Sequence, residues 1–99
     1  MLETFTADTF TPRVGETFRF VVDEEWEMRA RLTSVTPWGD ETARARGRQP
    51  FTLLFHAPRE SQVPQSIYRV ENENMEPFEL FLVPVGADGE GMRYEAVFT

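Results

Sequence analysis

The chain has 99 residues, a formal charge of −7 and no cysteine. The absence of cysteine excludes disulfides, thiolate catalysis and cysteine-ligated metals. Negative charge repels phosphate backbones and anionic lipids, and no apolar run approaches the roughly 20 residues that span a bilayer. The N-terminal stretch also lacks a basic segment followed by an apolar one. We therefore expect a cytoplasmic protein that binds neither nucleic acid nor membrane.

Alternating apolar residues predict about six strands in a single domain over residues 1–99. Before the first strand, Thr6 is placed to cap one short helical turn with Phe10 and Val14 on its inner side. The strands are predicted over residues 17–22, 26–35, 49–57 and 67–71 and over the two arms of a hairpin at 77–99. Val63 and Pro64 are expected to pack on the surface between them. The absence of a long helical period predicts an all-β antiparallel barrel or sandwich, and the pattern leaves that choice open.

The hairpin at residues 77–99 is the most strongly patterned part of the chain. Its first arm is apolar on both faces, which carry Phe78, Leu80 and Leu82 on one side and Phe81, Val83 and Val85 on the other. Such a strand is typically covered on both sides. Residues 86–91, with three glycines, are predicted to form the turn.

Four segments carry a resemblance: F-T-L-L-F at 51–55, V-P-Q-S-I-Y-R-V-E at 63–71, F-E-L-F-L-V-P-V-G at 78–86 and M-R-Y-E-A-V-F at 92–98. They resemble an uncharacterised bacterial family of small β-domains of about this length. Some members are encoded near phage-tail-collar-like or microcystin-dependent-type proteins. The resemblance implies an accessory or structural role in an assembly, and it implies no catalytic residue.

Few residues offer chemistry. His56 is the single histidine, so a two-histidine metal site is excluded, and no G-x-S-x-G motif surrounds any serine. We expect His56 to be a strand-end residue that hydrogen-bonds locally. The acidic clusters at 23–27 and 71–76 lack the spacing of a calcium loop and are expected to be solvated turns. The sequence thus predicts no catalytic residue, no metal or cofactor, and no enzyme.

Residues 36–50 are predicted to form a long loop, the best candidate for a functional segment. Trp38, Arg44, Arg46 and Arg48 form its candidate interaction surface, because Trp and Arg often carry interface energy. In the alternative interpretation, Trp38 folds onto the core and the arginines neutralise nearby acids. The sequence does not decide between these interpretations.

Two functional hypotheses remain. The first is a non-enzymatic protein-interaction or structural accessory module of a phage-tail-like assembly, which docks through loops or by strand addition at a sheet edge and is able to self-associate. The alternative is a small-ligand or carbohydrate-binding β-barrel, in which Trp26, Trp38 or Tyr68 stacks on the ligand.

Overall fold

The computed structural model describes residues 5–39 and 49–99, and these residues form one short helix, one 3₁₀-helix and six strands. In chain order the elements are α1 (Ala7–Phe10), the 3₁₀-helix (Thr11–Arg13), β1 (Thr17–Asp23), β2 (Trp26–Pro37), β3 (Phe51–Ala57), β4 (Ser66–Asn72), β5 (Met75–Asp88) and β6 (Gly91–Phe98). The predicted all-β antiparallel class, the strand number and the N-terminal helical turn are confirmed.

The strands close into an irregular barrel in the order β1-β2-β3-β6-β5-β4, with every neighbouring pair antiparallel. The closing pair, β1 with β4, is short and runs from Arg19 opposite Glu71 to Val21 opposite Arg69. Register shifts interrupt four of the six pairings. Each shift breaks the ladder locally and re-aims side chains on the strand that carries the extra residue.

The barrel interior is filled by side chains. Phe10 of α1 inserts against Phe51 and Phe98, whose rings stack with centroids 4.5 Å apart. A second aromatic group places Phe55 edge-on to Phe18 and Phe20. The alternating inward residues of the predicted strands supply this core, because successive side chains of a strand point to opposite faces.

Three local expectations are wrong. The hairpin turns over two residues, Gly89 and Glu90, because β5 continues through a bulge to Asp88, which pairs with Gly91. Val14 is exposed, since the chain leaves the 3₁₀-helix before this residue could face the core. Val63 is buried rather than on the surface. Its N–H donates to the Tyr94 hydroxyl at 3.0 Å, which anchors the β3–β4 connection to the core.

The largest correction concerns β5, which is not covered on both faces. Leu80 and Leu82 are buried in the barrel as predicted, but Phe81 on the other face is 49% exposed. A strand face made of large apolar residues is typically covered by another part of the protein. Among the described residues none packs over Phe81 closely enough to bury it, and Phe81 lies on the outer surface of the barrel.

Candidate interaction surface

Large apolar side chains lie in a row across the outer faces of β4, β5 and β6. Ile67 on β4 is paired directly with Phe81 on β5. The β5–β6 pairing begins where Val83 lies opposite Glu95, two residues after Phe81 on β5 and two residues before Val97 on β6. Ile67 is 62% exposed and Val97 is 55% exposed. Three neighbouring strands therefore present their apolar side chains to solvent side by side.

Trp38 extends this row towards β2. Its indole Nε1–H donates to Thr52 Oγ1 at 3.1 Å, and Thr52 is paired with Val97. Its backbone N–H donates to the Pro50 carbonyl at 2.9 Å, which fixes the end of β2 beside the start of β3. The indole thus lies at the surface and is 43% exposed. We call Ile67, Phe81, Val97 and Trp38 the apolar band.

A shallow groove of about 270 Å³ runs beside the band. It is lined by Ser34, Thr36, Thr52, Leu54 and Glu95. Small hydroxyl side chains and one leucine leave this part of the surface low and uncharged except for Glu95. The band and groove together form an apolar row beside a mostly polar recess, which is a shape that suits a protein partner.

The other residues predicted for the interaction surface, Arg44, Arg46 and Arg48, lie outside the described residues. Trp38 lies beside the exposed apolar residues of β4, β5 and β6. The sequence analysis did not predict those residues as a site. The signal for this group was present in the two-sided apolar pattern of β5. A strand with this pattern is typically buried within the chain, but the pattern alone does not distinguish burial from an exposed face.

A second outer region contains charged and polar residues. Arg31, His56 and Arg93 are cross-strand neighbours on β2, β3 and β6, and we call them the charged row. All three pair with acids at the β5–β6 turn. His56 Nε2 lies 2.9 Å from Asp88 Oδ2, Arg31 lies 3.4 Å from Glu90, and Arg93 lies 3.9 Å from Asp88.

The sequence analysis predicted that His56 hydrogen-bonds locally, but its side chain links three strands. Its Nδ1 lies 2.9 Å from the Thr33 hydroxyl, and its partners Thr33 and Asp88 are 23 and 32 residues away in the chain. Thr33 reaches the ring because it is the extra residue of a bulge between Leu32 and Ser34. A bulge has no clear sequence signature, which is why this contact escaped prediction.

The hydrogen bonds around His56 define what the ring can do. The Thr33 hydroxyl also donates to the Leu54 carbonyl at 3.1 Å, so the ring nitrogen Nδ1 must donate to Thr33 in that arrangement. Asp88 accepts from Nε2, and all three bonds therefore form together only when both ring nitrogens carry a proton. In that state the ring has no lone pair with which to take a proton from Thr33. The network links the strands β2, β3 and β5.

Asp88 is stabilised as a carboxylate. The hydrogen bond from His56 lowers the pKa of Asp88, and the backbone N–H of Glu90 adds to this effect by donating to Asp88 at 2.8 Å. Partial burial acts in the opposite direction, while the charges of His56 and Arg93 lower the pKa further. The pKa of Asp88 therefore lies below the ordinary carboxyl value.

A groove of about 610 Å³ lies next to the charged row. Its arginines are already paired, Arg19 with Glu71 at 3.8 Å and Arg29 with Glu27 at 3.2 Å. Within residues 5–39 and 49–99, no group of three His, Cys, Asp or Glu side chains is placed to hold a metal. The described helices include none long and apolar enough to cross a membrane.

The aromatics proposed to stack on a sugar do not share a site. Tyr68 is buried, and its hydroxyl donates to the Pro64 carbonyl. Trp26 begins β2, whereas Trp38 directly follows the end of the same 12-residue strand. Strands rise about 3.3 Å per residue, so the two indoles lie too far apart to hold one small ligand.

Residues 5–98 match a known protein family, described as Domain of unknown function (DUF6916). The chain belongs to this family. No curated protein and no solved structure matches it. Membership of DUF6916 agrees with the predicted resemblance to a small uncharacterised domain, and it assigns no activity to the apolar band or the charged row.

Proposed function

We propose that the chain is a non-enzymatic protein-interaction or structural accessory module that docks through its apolar band. The supporting observation is the exposure of Ile67, Phe81 and Val97 on three adjacent strands. Contiguous exposed apolar patches on monomers mark interaction sites, since burying them releases about 25 cal/mol per Å². The barrel supplies a rigid platform, and the band supplies the contact.

The topology favours docking by a sheet face over docking by strand addition. Strand addition needs a row of unpaired backbone N–H and C=O groups at a sheet edge. In the described part of the chain, each of the six strands pairs with a neighbour on both sides. Side chains on the outer face therefore offer the larger contact. The sequence resemblance extends the proposal to a place in a phage-tail-like assembly.

The alternative function is the binding of a small ligand or carbohydrate on the outside of the barrel. It rests on Trp26, which is 44% exposed beside a groove of about 460 Å³. Carboxylates also line this groove, among them Asp23, Glu25 and Glu27. Aromatic faces beside carboxylates are suited to sugar rings. Saturable quenching of Trp26 fluorescence by a glycan, retained in Trp38→Phe and lost in Trp26→Phe, would favour this function.

Photo-crosslinking in the native cells tests the interaction proposal. A photoreactive phenylalanine analogue replaces Phe81 in one version of the chain and Val14 in a matched control. Val14 is an exposed apolar residue away from the band. We expect a discrete protein adduct from position 81 and none from position 14. Equal labelling of many proteins from both positions, or no adduct from either, would contradict the proposal.

A further inference from the structure

We infer that the apolar band binds the same band of a second copy of this chain, forming a two-fold symmetric dimer. The inference rests on the proposed function and names the partner. It depends on two of the charged residues that flank the band, Arg69 and Glu95; a third, the exposed Glu79, lies beside Arg69. A self-complementary surface must bring unlike groups together when it faces a copy of itself.

Arg69 and Glu95 lie at opposite corners around Phe81. Arg69 is on β4 and pairs with Glu79, two residues before Phe81. Glu95 is on β6 and pairs with Val83, two residues after Phe81. Strands lie roughly 4.8 Å apart and residues i and i+2 roughly 6.8 Å apart, so each charge lies about 8 Å from Phe81, in opposite directions.

This arrangement is complementary to itself. A second copy is related to the first by a two-fold axis that lies in the interface beside Phe81, perpendicular to the line between the two charges. This rotation places its Glu95 against Arg69. The same rotation places its Arg69 against Glu95, so two identical ion pairs form. The strands of the two sheets then cross at a steep angle, as in orthogonal sheet packing. Apolar side chains face apolar side chains at the centre.

The exposure of the Arg69 side chain fits this role. The Arg69 side chain is 58% exposed, and its intrachain contact with Glu71, at 3.2 Å, uses Nε and leaves the guanidinium end for a second carboxylate. Each chain has a net charge of −7, which opposes association at long range. At physiological salt the Debye length is about 8 Å, so this repulsion is screened more than the contact pairs are.

Sedimentation equilibrium from micromolar to millimolar concentration at physiological salt tests the dimer. We expect the native chain and the control Val14→Thr to form dimers, and Phe81→Thr to weaken dimerisation at least about tenfold, as loss of a central aromatic does. Circular dichroism checks that each variant is folded. A native chain that stays monomeric over this range, or a Phe81→Thr dimer of native affinity, would overturn the inference.

Charge exchange tests the orientation. In a homodimer of Arg69→Glu, two acids would face each other at each end of the interface. In a homodimer of Glu95→Arg, two arginines would face each other there. Each variant should therefore dimerise more weakly than the native chain. Mixing the two variants creates two unlike pairs in a heterodimer, and association should return. Arg29→Glu and Glu73→Arg, which make the same charge changes beside the 610 Å³ groove, should dimerise like the native chain. Failure of the mixture to associate would overturn the inference.

The two experiments separate the inference from the proposed function. If the native chain is monomeric while position 81 crosslinks to a different protein, the second copy is excluded and the interaction module stands. If neither a dimer nor an adduct at position 81 is found, both fail.

Discussion

The charged row and the apolar band both lie on the outer surface of the barrel, but they differ in whether their side chains have partners within the chain. Arg31, His56 and Arg93 find acids within the chain, at Asp88 and Glu90. Ile67, Phe81 and Val97 have no comparable cover among the described residues. The charged row therefore contributes to folding, whereas the side chains of the apolar band remain exposed for the proposed contact. This difference predicts that substitutions in the two regions have different consequences.

The largest effect is expected at Gly91, where β6 begins beside the charged row. Gly91 has φ +137°, and an added Cβ would lie 2.2 Å from the Ala57 carbonyl oxygen. Gly91→Ala should lower the free energy of unfolding by roughly 3 kcal/mol, because backbone strain and a forced shift each cost on the order of 1–3 kcal/mol. Urea unfolding measures this change.

Gly89→Ala, in the same turn, is the matched control for Gly91→Ala. Nothing lies within 4 Å of the Cβ that this substitution would add. Gly89→Ala should therefore remain close to the native stability. Equal losses in the two variants would show that the turn, rather than the approach to Ala57, is sensitive.

A smaller loss is expected for His56→Ala. The substitution removes a buried ring that contacts Thr33 and Asp88, and it leaves a gap between three strands. Large-to-small substitutions at buried positions cost on the order of 2 kcal/mol. Thermal and urea unfolding should both show this loss. Native stability in His56→Ala would contradict the role of the charged row in folding.

The pH dependence of stability should report the pair of His56 and Asp88. The pKa of Asp88 is lower in the folded chain than in the unfolded chain, so the unfolded chain binds the proton more readily. The contribution is therefore complete above the ordinary carboxyl range and is lost as the pH falls through the lowered pKa. Asp88→Asn should flatten the acid limb of the stability profile. An unchanged acid limb in Asp88→Asn would show that other carboxylates cause it.

The sequence predicts much of the fold because an inward face has a clear period of two. Phe18, Phe20, Leu53 and Phe55 alternate with polar residues or mark a single buried face, and all four lie in the core. Closure of the barrel was not predictable, because it depends on the short β1–β4 pairing between segments separated by half of the chain. Sequence alternation does not specify such a long-range register.

The candidate sites were less predictable for two physical reasons. Thr33 reaches His56 through a bulge, and one extra residue in a strand changes the face of every following side chain. Phe81 belongs to a strand that is apolar on both faces, a pattern that fits both an internal cover and an external partner. Of the predicted surface, Trp38 alone lies in the described residues, and it borders the apolar band.

Urea unfolding of Phe81→Thr beside His56→Ala, at a concentration too low for assembly, tests the central claim most directly. Threonine is β-branched and, like phenylalanine, is favoured in strands, so Phe81→Thr removes mainly the exposed ring. The account predicts a loss of about 1 kcal/mol or less for Phe81→Thr, and a clearly larger loss for His56→Ala. If Phe81→Thr loses as much stability as His56→Ala, the apolar band serves folding and the distinction between the two regions is wrong.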